Sequence, residues 1–376
     1  MGKQGQGWGY GRLRRGSSRD GMMSPVWMLA VVLSCAARTA LATPVIDWRT
    51  VGDPGNANST TGYGAVATSF RIATFEWTNA QYVQFLNAVD PNGTNPNAVY
   101  NASMGSDARG GISFINGNAA GAKYVSRTNM ADKPVNYVSW WDAARVANWL
   151  HNGAPVATSS NATASAPQNT GAYTLGTLVN GSAPARNAGA QYFVPTQNEW
   201  YKAAYFKGGA TNAGYWKYAT MSNSNPTAVQ ATTVGSGTSG GVTPVISGNL
   251  ANYNFAADWN GQNGNVTTVG TNGGPSAYGA FDMGGNVWEW NDLDGSGGSL
   301  RGFRGGSFYA IGAFDLSSLE DGRDNDPGFE IDDLGFRLAS ASASAVPEID
   351  PAGIGSVVAL VGGVLTLMER RRSKVA

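Results

Sequence analysis

The residue types that most often carry thiol, redox or transition-metal chemistry are nearly absent from this chain. Among its 376 residues there is one cysteine, Cys35, and one histidine, His151. One histidine cannot build a multi-histidine zinc, iron or copper site, and one cysteine cannot form an intramolecular disulfide. His151 ends a predicted helix, where an imidazole more often favours the helix C-terminus than acts as a base. Any chemistry must therefore use other donors.

Cys35 itself lies in a segment that we expect to be removed on export. Four arginines precede an apolar run over residues 26–37, and Ala40-Leu41-Ala42 fits a small-x-small cleavage site. Residues 1–42 are therefore predicted to be a signal peptide, with Met22 or Met23 as alternative initiators. The alternatives are an uncleaved anchor or a buried helix. With cleavage, the mature protein has no thiol nucleophile and no thiolate ligand.

The C-terminal residues 341–376 are predicted to form a second targeting segment. Val346-Pro347-Glu348 precedes an apolar stretch over residues 354–368, and three arginines, 370–372, follow at once. The arginines would hold the end of a short membrane segment at the cytoplasmic face. The arrangement resembles the PEP-CTERM sorting tail of bacterial envelope proteins, which implies an exosortase-type sorting machinery as partner. The second proline of that motif is delayed to Pro351, and a plain membrane anchor is the alternative.

Composition limits the partners and the fold class of the remaining body, residues 43–340. Basic and acidic residues balance at 25 each and make up 13% of the chain, so nucleic acid is not an expected partner. The chain has 52 glycines, 12 tryptophans and 15 tyrosines. Abundant glycine with abundant large rings indicates a loop-rich fold with few helices. We predict one domain of mixed α+β class.

Three capping boxes predict where helices begin. They start at Thr78, Ser139 and Thr196, each with Gln, Asp or Glu three residues later. Short strands are expected at 70–72, 192–194 and 303–304. The polar stretches 153–190 and 207–250, rich in Gly, Asn, Ser and Thr, are expected to be long surface loops.

A set of ordered motifs across residues 45–340 resembles the formylglycine-generating-enzyme, or sulfatase-modifying factor, family. The most specific block runs from Tyr278 to Trp290 and contains Gly-Asn-Val-Trp-Glu-Trp. The other motifs in this chain are Phe70-Arg71-Ile72 with Glu76-Trp77-Thr78-Asn79, Lys133-Pro134-Val135-Asn136-Tyr137, Val194-Pro195-Thr196 with Glu199-Trp200, Arg304-Gly305-Gly306-Ser307, and Leu334-Gly335-Phe336-Arg337. The resemblance implies a variant of the C-type lectin-like fold with little regular secondary structure.

The resemblance also implies an oxidase chemistry that this chain cannot copy. Family oxidases bind copper through two cysteines that follow the Arg-Gly-Gly-Ser block and convert a substrate cysteine to formylglycine. Here those positions are Ala310 and, near the second, Asp315. Copper(I) prefers soft sulfur ligands, so we expect no copper. A further family branch holds iron with several histidines, which this chain lacks. We therefore assign no catalytic residue.

This chain matches the calcium ligands that the resemblance implies better than it matches the copper ligands. The resemblance implies structural Ca²⁺ at Asp282, Gly285, Val287 and Glu289, where side-chain and main-chain oxygens would be the ligands. A second site would begin at Asn252 and Tyr253 and end at Asn263 and Asn265. The alternative at the first site is that Glu289 pairs with an arginine such as Arg304, while Asp282 caps a turn.

Three other features have competing interpretations. Asp292-Leu293-Asp294-Gly295 lacks the later bidentate glutamate of a calcium loop and is expected to be a solvated turn. An acidic cluster near the family's substrate face is either a solvated loop or a site for a cation or basic peptide. Its members are Asp321, Asp324, Asp326, Asp332 and Asp333. Trp288 and Trp290 should alternate between core and groove, with at least one in the core.

Two classes of function follow. The first is an exported, envelope-sorted, non-catalytic module that binds a peptide, glycan or surface polymer, or a structural component of an extracellular matrix. The second is an oxidoreductase of the formylglycine-generating or non-haem-iron type that uses Asp, Glu or Tyr ligands in place of sulfur. A fold alone does not decide between them.

Overall fold

The computed structural model describes residues 43–157 and 159–342. The predicted signal peptide and nearly all of the predicted sorting tail lie outside these residues. Within them, helices and strands are short and are joined by long irregular segments. The mixture of helices with small, mostly antiparallel sheets confirms the predicted α+β class and its low content of regular structure.

The longer helices begin where the capping boxes predicted. Helix α1 spans Asn79–Val89, α2 Ser103–Ser106, α3 Trp140–His151 and α4 Gln197–Tyr205, and a 3₁₀ turn covers Phe314–Leu316. At the starts of α1, α3 and α4, the cap hydroxyl accepts from the N3 amide and the N3 side chain returns a bond to the cap backbone. These reciprocal bonds satisfy amides that have no partner inside the helix.

The strands form two four-stranded sheets and three strand pairs. In chain order they are β1 Trp48–Val51, β2 Phe70–Ala73, β3 Ile112–Phe114, β4 Tyr124–Ser126, β5 Tyr192–Phe193, β6 Thr227–Ala228, β7 Gln230–Ala231, β8 Gly237–Thr238, β9 Leu250–Ala251, β10 Trp288–Asn291, β11 Arg301–Arg304, β12 Arg323–Asn325, β13 Leu334–Gly335 and β14 Ala339–Ala341. One sheet has the order β1-β2-β14-β5 and the other β12-β11-β10-β13. The strands expected around residues 70, 192 and 303 are all present.

The core is dominated by large rings. Among the described residues, six tryptophans are at most 2% exposed: Trp77, Trp140, Trp141, Trp149, Trp200 and Trp290. Trp288 is 5% exposed, so both tryptophans of the Trp-Glu-Trp motif are core residues and neither faces a groove. Strand β10 is buried on both faces, because all four of its residues are buried. The expected alternation between core and groove is therefore absent from β10.

The two polar stretches are more structured than predicted. Strands β6, β7 and β8 lie within residues 207–250. In the stretch 153–190, the side chains of Gln168 and Asn169 are fully buried. Arg145 on helix α3 donates to Asn169, and Asn148 donates to the Gln168 carbonyl at 3.2 Å. Buried polar groups of α3 need partners, and the loop supplies them. In residues 43–157 and 159–342, no helix combines the length and the apolarity that a bilayer crossing requires.

Candidate functional site

The centre of the β10–β11–β13 sheet is a buried ion pair. Glu289 on β10 accepts from Arg337 twice, at 2.6 Å from Nε and 2.6 Å from Nη2, and from Trp200 Nε1 at 2.7 Å. Arg337 also donates to the Phe281 carbonyl at 2.8 Å. Both ions are at most 1% exposed. A bidentate arginine–carboxylate pair of this kind satisfies the charge and the directional bonds of both groups.

Asp282, the other carboxylate of the first predicted calcium set, is bonded to its own loop. Its Oδ1 accepts from Asn272 Nδ2 at 2.9 Å and its Oδ2 accepts from the Gly270 amide at 2.5 Å. The residue has φ of 56°. Burial raises the pKa of Asp282 above its ordinary value. Asp282 therefore holds the backbone and side chain of the segment at residues 270–272.

The first calcium set, Asp282, Gly285, Val287 and Glu289, does not fit a cation as it is arranged. Every oxygen of its two carboxylates already accepts a hydrogen bond, and Arg337 occupies the coordinating side of Glu289. The arginine partner is Arg337 instead of Arg304. Arg304 is opposite Glu289 in the β-ladder, but its guanidinium pairs with Glu320 at 3.6 Å.

A chain of buried polar side chains connects Asp282 to a third carboxylate, Glu76. Asn286 Nδ2 donates to Glu76 at 2.7 Å, Thr267 N donates to Asn286 Oδ1 at 2.8 Å, and Thr267 Oγ1 donates to Asn272 at 2.7 Å. Burial raises the pKa of Glu76 well above its ordinary value, and the nearby charges of Asp282 and Glu289 raise it further. The motif Glu-Trp-Thr-Asn was part of the resemblance, but nothing in it indicated this network.

The second predicted calcium set is brought together only in part. Asn252 is fully buried and its Nδ2 donates to the Asn265 carbonyl at 2.9 Å, whereas its Oδ1 has no hydrogen-bond partner in the described part of the chain. Arg109 Nη2 donates to the Asn263 carbonyl at 3.1 Å, and the Tyr253 hydroxyl donates to Pro226. One oxygen is thus free for a ligand, while a guanidinium lies against another member. Among the described residues, no group of three or more His, Cys, Asp or Glu side chains has the arrangement of a metal site.

The two positions that match the family's copper ligands, Ala310 and Asp315, lie in a different environment from the buried ion pair. Ala310 is 5% exposed and packs in an apolar cluster with Tyr218, Ala251, Tyr253, Ala313 and Leu316. Asp315 lies in the 3₁₀ turn and its carboxylate pairs with Arg323 at 3.1 Å. Neither position offers sulfur. The pair of residues that would hold copper is replaced by a small apolar contact and an ion pair.

The predicted acidic cluster divides into bonded and exposed members. Asp333 accepts from Ser307 Oγ at 2.6 Å, and burial raises the pKa of Asp333 to about 6. Asp332 accepts from the Tyr309 hydroxyl at 2.7 Å and lies 3.7 Å from Arg109. The remaining members, Asp321, Asp324 and Asp326, are exposed. The five aspartates therefore do not form one solvated loop.

Asp292 also departs from its predicted role. It was expected in a solvated turn, but it is fully buried. Its Oδ1 lies 2.9 Å from Arg301 Nε, and Tyr173 donates to its Oδ2 at 3.0 Å. Burial raises the pKa of the Asp292 carboxyl to about 7 despite the arginine. The solvated-turn prediction holds only for Asp294, which is exposed and accepts from Ser296.

A groove of about 630 Å³ lies next to the loop that carries Ala310 and Asp315. We call it the aromatic groove, because Tyr201, Phe206, Tyr215 and Trp216 line it. Its rim contains hydroxyl and amide side chains, and Ser318 and Leu319 border it. The backbone bond from Ser318 N to the Lys217 carbonyl, 2.8 Å, joins the two segments that form this side. A concave site of this size with few polar groups suits a small ligand or one segment of a polymer.

The comparison with known families covers most of the described residues. Residues 54–342 match the model of the sulfatase-modifying factor enzyme 1-like domain. A search of the curated proteins found no significant match.

Three solved structures are similar to this chain at low identity. Treponema denticola variable protein 1 is 20% identical with a TM-score of 0.42, covering 78% of this chain and 95% of its own. CarF is 20% identical with a TM-score of 0.42, covering 80% and 100%. PvdO from Pseudomonas aeruginosa is 18% identical with a TM-score of 0.38, covering 79% and 92%. The family match spans well over half of the chain, and the chain belongs to the sulfatase-modifying factor (formylglycine-generating-enzyme-like) family.

Proposed function

We propose that this chain is an exported, non-catalytic binding module built on the formylglycine-generating-enzyme fold. The observation that carries the proposal is Ala310, whose methyl group packs in an apolar cluster where the family's oxidases place a copper-binding cysteine. The residue five positions on, Asp315, is held by Arg323. Copper(I) would meet no soft donor at either position.

The proposal is tested by copper(I) titration of the purified protein with a matched gain-of-ligand variant. We expect the unaltered protein to take up no stoichiometric copper. We expect Ala310→Cys combined with Asp315→Cys to bind one equivalent, because it restores two thiolates to the scaffold. Single Ala310→Cys is the control for non-specific thiol binding. Stoichiometric copper or iron retained by the unaltered protein would overturn the non-catalytic proposal.

Export and envelope sorting are part of this proposal and rest on residues outside the described ones. Export is supported by the basic and apolar N-terminal segment that ends in Ala40-Leu41-Ala42. Envelope sorting is supported by the C-terminal segment, which has Pro347-Glu348 followed by its arginines. Cell fractionation should place the protein in the envelope or outside the cell, with a mature N-terminus at Thr43. Recovery in the cytoplasm with an intact N-terminus would contradict it.

A structural calcium ion remains a proposal for the second set alone. The buried and unpartnered Asn252 Oδ1 supports it, because Ca²⁺ accepts amide oxygens and an unpaired buried acceptor is costly. A chelator should lower the melting temperature of the unaltered protein and leave that of Asn252→Ala unchanged. Equal melting temperatures with and without chelator would contradict the proposal. Glu289→Ala is no test of calcium, because it also breaks the pair with Arg337.

A further inference from the structure

We propose that the aromatic groove binds an acidic glycan, a polymer of sugar rings that carry uronic-acid carboxylates. This inference rests on the proposed binding role and adds the class of ligand. Three observations carry it. The groove has a fixed aromatic platform, and its rim consists of hydroxyls and amides without acids. Lys217 in the lining and Lys207 beside Trp216 form no ion pair among the described residues.

The platform is held in place before any ligand arrives. The Tyr215 hydroxyl donates to the Ala57 carbonyl at 2.7 Å and accepts from Asn56 at 2.8 Å, and its ring meets Phe206 edge-on with centroids 5.0 Å apart. The Trp216 amide donates to the Tyr205 carbonyl at 2.8 Å, which anchors this residue to the end of α4. Trp216 is only partly buried, so part of its ring reaches the groove. A rigid ring lowers the entropy lost when a ligand binds.

Two lysines add positive charge at this platform. Lys207 Nζ lies 4.7 Å from the centroid of the Trp216 ring, and Lys217 Nζ lies 5.1 Å from that of Tyr218. Cation–π contacts of this kind orient the ammonium groups without neutralising them. Within residues 43–157 and 159–342, neither lysine forms an ion pair. The ammonium groups are therefore available to a ligand carboxylate.

Two acidic side chains near the groove, Asp53 and Glu320, already have partners. Asp53 approaches the segment after Lys207, but its Oδ2 accepts from the Gly209 amide at 3.1 Å and from the Tyr278 hydroxyl at 2.8 Å. Glu320, next to the groove-lining Leu319, pairs with Arg304 at 3.6 Å. No aspartate or glutamate is among the lining residues. The lining therefore contains the ammonium group of Lys217 and no carboxylate, which favours an anionic ligand.

The rim chemistry favours sugar over peptide. Thr60, Thr211, Asn212 and Asn223 line the groove with exposed hydroxyl and amide groups that both donate and accept hydrogen bonds. None of the lining residues belongs to strands β1–β14, so no strand edge is offered for a peptide to extend. A hydroxyl-rich ring with a carboxylate matches the rim, the platform and the lysines together.

The inference is tested by calorimetric titration of the exported chain with three probes. Tri-galacturonate is the acidic glycan, cellotriose the neutral one and poly-L-glutamate the acidic peptide. We expect tri-galacturonate to bind at least about tenfold more tightly than either of the others, a difference of about 1.4 kcal/mol. Its affinity should fall as salt is added, since screening weakens the carboxylate–lysine attraction.

Variants separate the outcomes. Trp216→Ala, with Trp216→Phe in case the smaller residue disturbs folding, should weaken tri-galacturonate binding by about tenfold or more. Lys217→Gln should weaken it without changing cellotriose binding, and Lys123→Gln, on the distant β3–β4 hairpin, should change neither. Equal binding of cellotriose or poly-L-glutamate through Trp216 would overturn the acidic-glycan inference but leave a binding module. Absence of tri-galacturonate binding would also overturn it. The copper titration judges the non-catalytic proposal separately.

Discussion

The sheet around Glu289 and the loop around Ala310 are about twenty residues apart in the chain but are stabilised by different interactions. In the sheet, a buried carboxylate accepts three hydrogen bonds and is neutralised by Arg337. In the loop, Ala310 packs in an apolar cluster that includes Tyr218 and Leu316, while Ile311 is 84% and Phe314 61% exposed. A buried ion network tolerates little change, whereas an exposed loop tolerates much. We therefore expect the family's scaffold to persist even where residues of this loop change.

The largest expected effect breaks the sheet side of this comparison. Arg337→Met should lower the free energy of unfolding by about 3–5 kcal/mol, because it leaves Glu289 buried without a counterion. Arg49→Met is the matched control, since its pair with Asp47 is exposed and should cost about 1 kcal/mol or less. Chemical denaturation of both variants is the measurement. Equal losses in the two variants would remove the distinction between the buried network and the surface.

A partly buried carboxyl, that of Glu330, tests a case in which no arginine pairs with the carboxylate within the described residues. Burial and the nearby Asp142 carboxylate raise the pKa of Glu330 above its ordinary value of 4.5. The folded state therefore holds a proton that the unfolded chain has released, and stability should fall as the pH rises from about 4.5 through the raised pKa. Glu330→Gln should flatten the dependence of the melting temperature on pH in this range. The same slope in Glu330→Gln and in the unaltered protein would contradict this assignment.

On the loop side, enlarging Ala310 should cost less than breaking the buried pair. Ala310→Leu adds volume to a filled apolar cluster and should destabilise the protein by about 1–3 kcal/mol. Ala310→Ser is the size-matched control. A loss as large as that of Arg337→Met would show that the loop is as constrained as the sheet.

The smallest effect is expected at the exposed part of the loop. Phe314→Ser should change the free energy of unfolding by about 0.5 kcal/mol or less, because its side chain is largely in solvent and loses little packing. Urea titration at one pH, beside the unaltered protein, is sufficient. A loss of several times this size would mean that Phe314 packs on part of the protein.

Features set by interactions between residues close in the chain were predictable from the sequence, and those set by distant residues were not. The capping boxes at Thr78, Ser139 and Thr196 were predictable, because both partners lie within three residues. The partner of Glu289 was not, because Arg337 is 48 residues away and the ladder neighbour Arg304 turns to Glu320. The family resemblance identified the fold, since its motifs mark tight turns and buried rings.

The errors share one physical cause, which is burial produced by distant segments. Asp292 lies in a sequence typical of a turn, but Tyr173 and Arg301 enclose it. Gln168 and Asn169 lie in a polar stretch, but hydrogen bonds from helix α3 hold them in the core. The aromatic groove joins residues near 58, 215 and 318, and no local pattern relates these three segments.

The most direct test of the central claim is oxygen consumption with a cysteine-containing peptide and added copper(I). The unaltered protein should consume no oxygen above the background of free copper and should leave the peptide cysteine unchanged by mass spectrometry, because Ala310 and Asp315 supply no sulfur. Copper-dependent oxygen uptake with conversion of that cysteine to formylglycine would contradict the account.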